Sequence, residues 1–100
     1  MKTNKKIICK DGFEMSVQAN RMAYCYPRVT GAESYSSVEV GYPHPPEEIL
    51  ARYAEMGPEV DSTGIYPWVP AHIITMICAK HGGVVEGELP AGIPYLRATA

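Results

Sequence analysis

The chain has 100 residues, 46% of them hydrophobic, with a net charge of −2 and a pI near 5.9. That length suits one domain with its own core, and no apolar run approaches the roughly 20 residues of a membrane span. Direct nucleic-acid binding calls for a strongly basic face, so this composition argues against it.

The charge is nonetheless uneven. Residues 1–32 sum to +4 and residues 33–88 to −7. Solvated faces account for this split in the simplest way. A local basic patch, or an acidic surface meeting a basic partner, is the functional alternative. The opening "MKTNKKIICKDGF" is basic, but its apolar run is too short for a signal peptide. A cytoplasmic protein is therefore expected. Its three cysteines, Cys9, Cys25 and Cys78, are expected to be thiols.

Residues 5–19 read as a hairpin. "KKIICK" and "FEMSVQA" flank "DG", the signal of a two-residue turn. Phe13, Met15 and Val17 alternate with polar residues, one face inward and one outward. Residues 20–34 contain Pro27 and Gly31 and read as a loop, with a short extended piece at 23–26. "SYSSVEVGY" predicts a strand over 35–41.

"HPPEEILARYAEMGP" predicts a helix over 46–56, with Glu47 and Glu48 in its first turn and Gly57-Pro58 as its stop. Ile49, Leu50, Tyr53 and Met56 share its apolar side. "GIYPWV" is a short extended segment. "PAHIITMICAKH" predicts a second helix over 70–81, with Pro70 at its first position and Gly82 at its end. A strand is expected near 83–88. "YPHPPEEIL" and "YPWVPAHII" share the pattern Y-P-x-x-P-x-x-I-[L/I], which reads as a repeated strand, proline corner and helix, or as coincidence in a proline-rich chain.

Few residues carry recognisable chemistry. In "TMICAKHGG", Cys78 and His81 stand three apart. Structural zinc commonly takes four ligands in close pairs, and only this pair is close, so no metal site is expected. Cys78 fits the apolar helix face with Ile73, Ile74 and Ile77, and Lys80 and His81 suit a helix C-terminus. Cys25, beside Arg28 in "YCYPR", is the better candidate for a reactive thiol, though a packed loop cysteine explains it more simply. Glu47/Glu48 and Glu86/Glu88 are neighbours, not opposed pairs, and neighbouring positions do not establish acid–base catalysis. No phosphate loop, dinucleotide fingerprint or nucleophile elbow is present, so neither an enzyme nor a cofactor is expected. A cysteine-dependent enzyme or metalloprotein is the alternative.

The aromatic residues say more. Seven tyrosines and one tryptophan stand against one phenylalanine, and most lie in loops, strand ends and proline corners. Each ring could simply cover a small core with its polar tip in water. Together they favour a binding surface. The expected anchors are Tyr24, Tyr26 and Arg28 in one loop, with Tyr66 and Trp68 at the second proline corner.

The segments "DGFEMSVQA", "YCYPR", "VEVGYP", "YPWVPAHII" and "KHGGVVEGELP" resemble, in order, a family of small proteins encoded by phages and prophages. "GAESYSS" departs from it, because the family has a glycine–proline before the third strand. The resemblance brings no catalytic residues. It implies an accessory protein that binds a bacterial host protein or ribonucleoprotein complex, for example a CRISPR-type defence effector. A phage structural or assembly component is another reading.

The expected fold is one α+β domain over residues 1–100, an antiparallel sheet of three to five strands with two helices on one face. Its expected core is Ile7, Cys9, Phe13, Met15, Val17, Val38, Val40, Ile49, Leu50, Tyr53, Ile73, Ile74, Ile77 and Val84.

Overall fold

A computed structural model describes residues 3–54 and 64–99. The chain folds as an α+β protein around a five-stranded antiparallel sheet. The strands are β1 (Ile7–Cys9), β2 (Glu14–Gln18), β3 (Ser37–His44), β4 (Ile65–Pro70) and β5 (Val84–Glu86). Their order across the sheet is β4-β3-β2-β1-β5. A 3-10 helix, Glu48–Tyr53, precedes β4, and the α-helix α1, Ala71–Lys80, follows it.

Strand alternation builds the core. Met15 and Val17 on β2, and Val38 and Val40 on β3, are buried while Glu14, Ser16, Gln18, Ser37 and Glu39 between and beside them are not. Ile73, Ile74, Ile77 and Cys78 of α1 close over this face, and Leu50 of the 3-10 helix joins the same cluster. Of the expected core, only Ile49 and Tyr53 are merely half-buried. Ala23, Cys25, Tyr35, Tyr66, Val69, Leu89 and Ile93 complete it.

The first hairpin differs in its turn. Gly12 N–H donates to Cys9 O at 3.0 Å, and Cys9 N–H donates to Phe13 O at 2.8 Å. Three residues, Lys10 to Gly12, therefore make the connection, not two. Gly12 takes φ +94° whereas Asp11 keeps negative φ, the arrangement of a tight turn followed by a glycine bulge. The Asp11 carboxylate accepts from Phe13 N–H at 2.9 Å, which favours this longer turn.

The first predicted helix is a 3-10 segment of six residues, a form used in short pieces. Glu47 caps it, its carboxylate accepting from Ile49 N–H at 2.9 Å. Met56 and the predicted Gly57-Pro58 stop lie outside the described residues. The second helix begins one residue late: Pro70 ends β4 and stands before the first helical residue. At the far end, Gly82 and Gly83 donate to Ala79 O and Cys78 O.

Both proline corners are β-bulges. Val38 pairs with Val69 and Val40 with Tyr66, so two steps on β3 span three on β4. Glu14 pairs with His44 and Ser16 with Gly41, so β3 in turn carries an extra residue opposite β2. Each bulge holds an exposed aromatic at positive φ: Tyr42 at +52° and Trp68 at +49°. The repeated sequence pattern is thus a repeated distortion, but its faces are exchanged. Tyr42 points out and Pro43 in, whereas Tyr66 points in and Trp68 out.

Candidate functional site

The loop over residues 20–35 is fixed from within. Asn20 Oδ1 accepts from Met22 N–H at 2.8 Å, and Asn20 O accepts from Ala23 N–H at 3.2 Å. The buried Cys25 thiol lies 3.3 Å from Asn20 O and 3.5 Å from Pro27 O, in reach of both carbonyls. Tyr35 is buried with its hydroxyl donating to Val29 O at 2.7 Å and accepting from Ala32 N–H. Arg21 N–H donates to Thr30 Oγ1 at 3.1 Å, closing the loop on itself. A single antiparallel bridge, Tyr26 to Ser37, ties the loop to β3. The Tyr26–Pro27 bond is cis.

This loop meets β4 at its bulge. Trp68 N–H donates to Tyr24 O at 3.0 Å, and the two rings sit 5.2 Å apart, tilted by 44°. The Arg28 guanidinium lies 5.1 Å from the Tyr24 ring centre, within the range of a cation–π contact. Tyr24 N–H donates to the Glu39 carboxylate at 3.0 Å. Glu39 stands between the buried Val38 and Val40, so it faces away from the core. The patch is therefore assembled on the sheet's outer side, at the β4 edge.

The bulge explains the exposed tryptophan. In a regular strand the residue after inward Tyr66 and outward Pro67 would point inward again. The extra residue lets Val69 take that inward place and leaves Trp68 outside, 52% exposed. A bulky residue at φ +49° is strained, and such strain concentrates at functional sites.

Four of the five predicted anchors come together or lie close in sequence here. Tyr24, Arg28 and Trp68 touch, and Tyr26 is two residues from Tyr24 and 67% exposed. Tyr66 is a correction. It is 1% exposed within the core, because strand alternation buries it when the bulge presents Trp68. It has no surface to offer a partner.

A second cluster was not read from the sequence. His81, after the last turn of α1, holds Asp11 Oδ2 at 2.6 Å through Nδ1 and Glu47 Oε1 at 2.6 Å through Nε2. Lys80 Nζ reaches the other Glu47 oxygen at 2.8 Å, and the Phe13 ring stacks on the imidazole at 4.1 Å. Glu47 is 2% exposed. Burial pushes its carboxyl up, but the Ile49 N–H, Lys80 and His81 outweigh this and hold it low. Burial likewise pulls His81 down, and the two carboxylates outweigh it and raise it.

This cluster bears on the cysteine alternative. Both nitrogens of His81 face carboxylates, so neither is free to take a proton from Cys78, as a nucleophile's base must. The neighbouring Cys78 thiol lowers Cys9, and the Cys9 thiol together with burial raises Cys78. Both are buried. Among the described residues no three His, Cys, Asp or Glu side chains are grouped to hold a metal ion. No helix among them is long and apolar enough to cross a membrane.

No family model, no curated protein and no solved structure matches this chain.

Proposed function

We propose that the protein acts by stoichiometric binding to another protein, through the surface formed by Tyr24, Tyr26, Arg28 and Trp68. One observation carries this reading: the fold bulges β4 and holds Trp68 outward at φ +49° against Tyr24. Tryptophan, tyrosine and arginine are the residue types that dominate interface energies. The loop beneath them is held by buried hydrogen bonds of Cys25 and Tyr35, so less ordering is required on association.

The partner in this reading is a bacterial host protein or ribonucleoprotein complex in the host cytoplasm, such as a CRISPR-type defence effector. The support for that narrower statement is the ordered resemblance of "DGFEMSVQA", "YCYPR" and "YPWVPAHII" to phage and prophage proteins. Neither catalysis nor a cofactor enters this reading.

The test is affinity capture from bacterial lysate with the wild-type chain and with Trp68→Ala, followed by identification of the retained proteins. A defined host complex lost by Trp68→Ala supports the proposal. Retention of phage particle proteins instead would make the chain an assembly component.

A further inference from the structure

We infer that the surface around Trp68 takes an acidic protein segment, one that presents carboxylates beside an apolar stretch. This rests on the binding role proposed above and deepens it. Arg28 lies over the Tyr24 ring, and among the described residues it has no carboxylate partner. Arg21 is exposed in the same loop, which its backbone N–H closes onto Thr30, and it too has no carboxylate partner among them. The nearby carboxylate, Glu39, has one oxygen engaged by Tyr24 N–H. The patch therefore carries the open Arg28 guanidinium beside exposed Tyr24 and Trp68, with Arg21 and Tyr26 exposed elsewhere in the same loop. A guanidinium placed over a ring still has N–H groups to offer, and their fork matches a carboxylate in two-point fashion.

The ring geometry separates a protein segment from a nucleic-acid strand. Single-strand binding relies on open aromatic faces on which bases stack. Here Arg28 covers a face of Tyr24, and Trp68 meets Tyr24 at 44°, leaving no parallel slot between them. An apolar side chain or proline packs in a tilted notch without needing coplanarity.

Trp68 is the chain's one tryptophan, so its emission reports on this surface directly. The full chain is titrated with a short capped peptide of glutamate, proline and leucine. The same peptide with lysine for glutamate, and a short thymidine strand, are the comparisons. The acidic peptide is expected to change Trp68 emission saturably, and Arg28→Ala to weaken it roughly tenfold or more, with circular dichroism unchanged. Added salt should weaken it further. An equal or stronger response to the lysine peptide or the thymidine strand overturns the acidic-segment assignment while leaving the surface a binding site. No response to the acidic peptide also overturns the assignment, while the binding role itself is judged separately by capture with Trp68→Ala.

Discussion

The Trp68 backbone N–H donates to the Tyr24 carbonyl at 3.0 Å while the two rings meet at 5.2 Å. One hydrogen bond thus joins an edge-strand bulge to a loop more than forty residues earlier in the chain. It fixes the relative position of the two rings.

The strain at Trp68 makes a prediction that separates ring from backbone. Glycine relieves a positive φ and alanine does not. Trp68→Gly should therefore be more stable than Trp68→Ala by about 1 kcal/mol, measured by urea unfolding, although both lose the ring and should bind equally poorly. Equal stability of the two variants, or a more stable alanine variant, would contradict the backbone assignment.

Two glycines at positive φ should respond differently to alanine. Around Gly12, at φ +94°, a new Cβ meets nothing within 4 Å, so Gly12→Ala should cost only about 1 kcal/mol. At Gly87, at φ +112°, the Cβ would collide with Lys6 O and lie 2.7 Å from Ile7 Cα. Backbone must move there, and Gly87→Ala should cost clearly more, on the order of 3 kcal/mol. Matched melting temperatures for the two variants would contradict the packing of residue 87 against β1.

The Asp11–His81–Glu47 cluster predicts a pH profile. His81 is raised in the folded chain. Its contribution is therefore full below its unfolded value of about 6.5 and is lost as pH rises through the folded value. Glu47 and Asp11 are lowered. Glu47's contribution is full above its unfolded value near 4.5 and is lost as pH falls through its folded value. Urea stability should be flat between roughly pH 5 and 6.5 and decline on both sides. His81→Gln should flatten the decline above about pH 6.5. An unchanged alkaline decline in that variant would assign it to another group.

The thiols should be inert while the chain is folded. Cys9, Cys25 and Cys78 are all buried, so a thiol-reactive chromogen should label them slowly in native buffer and fully in denaturant. Cys25→Ser should leave the partner bound, with at most a modest loss of affinity from a looser loop. Abolished binding in a folded Cys25→Ser chain would point to a role for that thiol beyond packing.

Local pattern made much of the fold legible. The alternation of Phe13, Met15 and Val17 set the face of β2, and the run Ile73, Ile74, Ile77, Cys78 set the face of α1. The exposure of Tyr24, Tyr26 and Trp68 agrees with their places in loops and corners, but their meeting was not legible, because only the folded sheet brings residue 24 to residue 68. Tyr66 and Trp68 stand two apart and would share a face in a regular strand; the bulge after Tyr66 puts them on opposite faces, and "YPW" carries no local mark of it. The His81 cluster was hidden because its carboxylates lie 34 and 70 residues away, and only the finished sheet brings the β1–β2 turn to the end of α1. Glu47 likewise read as a solvated helix start, where the sequence alone shows neither Lys80 nor His81 beside it.

The central claim is that the bulged edge at Trp68 is the binding surface. The most direct measurement compares capture from bacterial lysate by four chains: wild type, Trp68→Ala, Tyr24→Ala and Met76→Ala. Met76 is an exposed apolar residue on α1, outside the patch. Wild type and Met76→Ala are predicted to retain the same identified partner in equal amount, and the two aromatic variants to lose it while keeping the wild-type circular dichroism spectrum. Undiminished retention by folded Trp68→Ala and Tyr24→Ala would contradict the account.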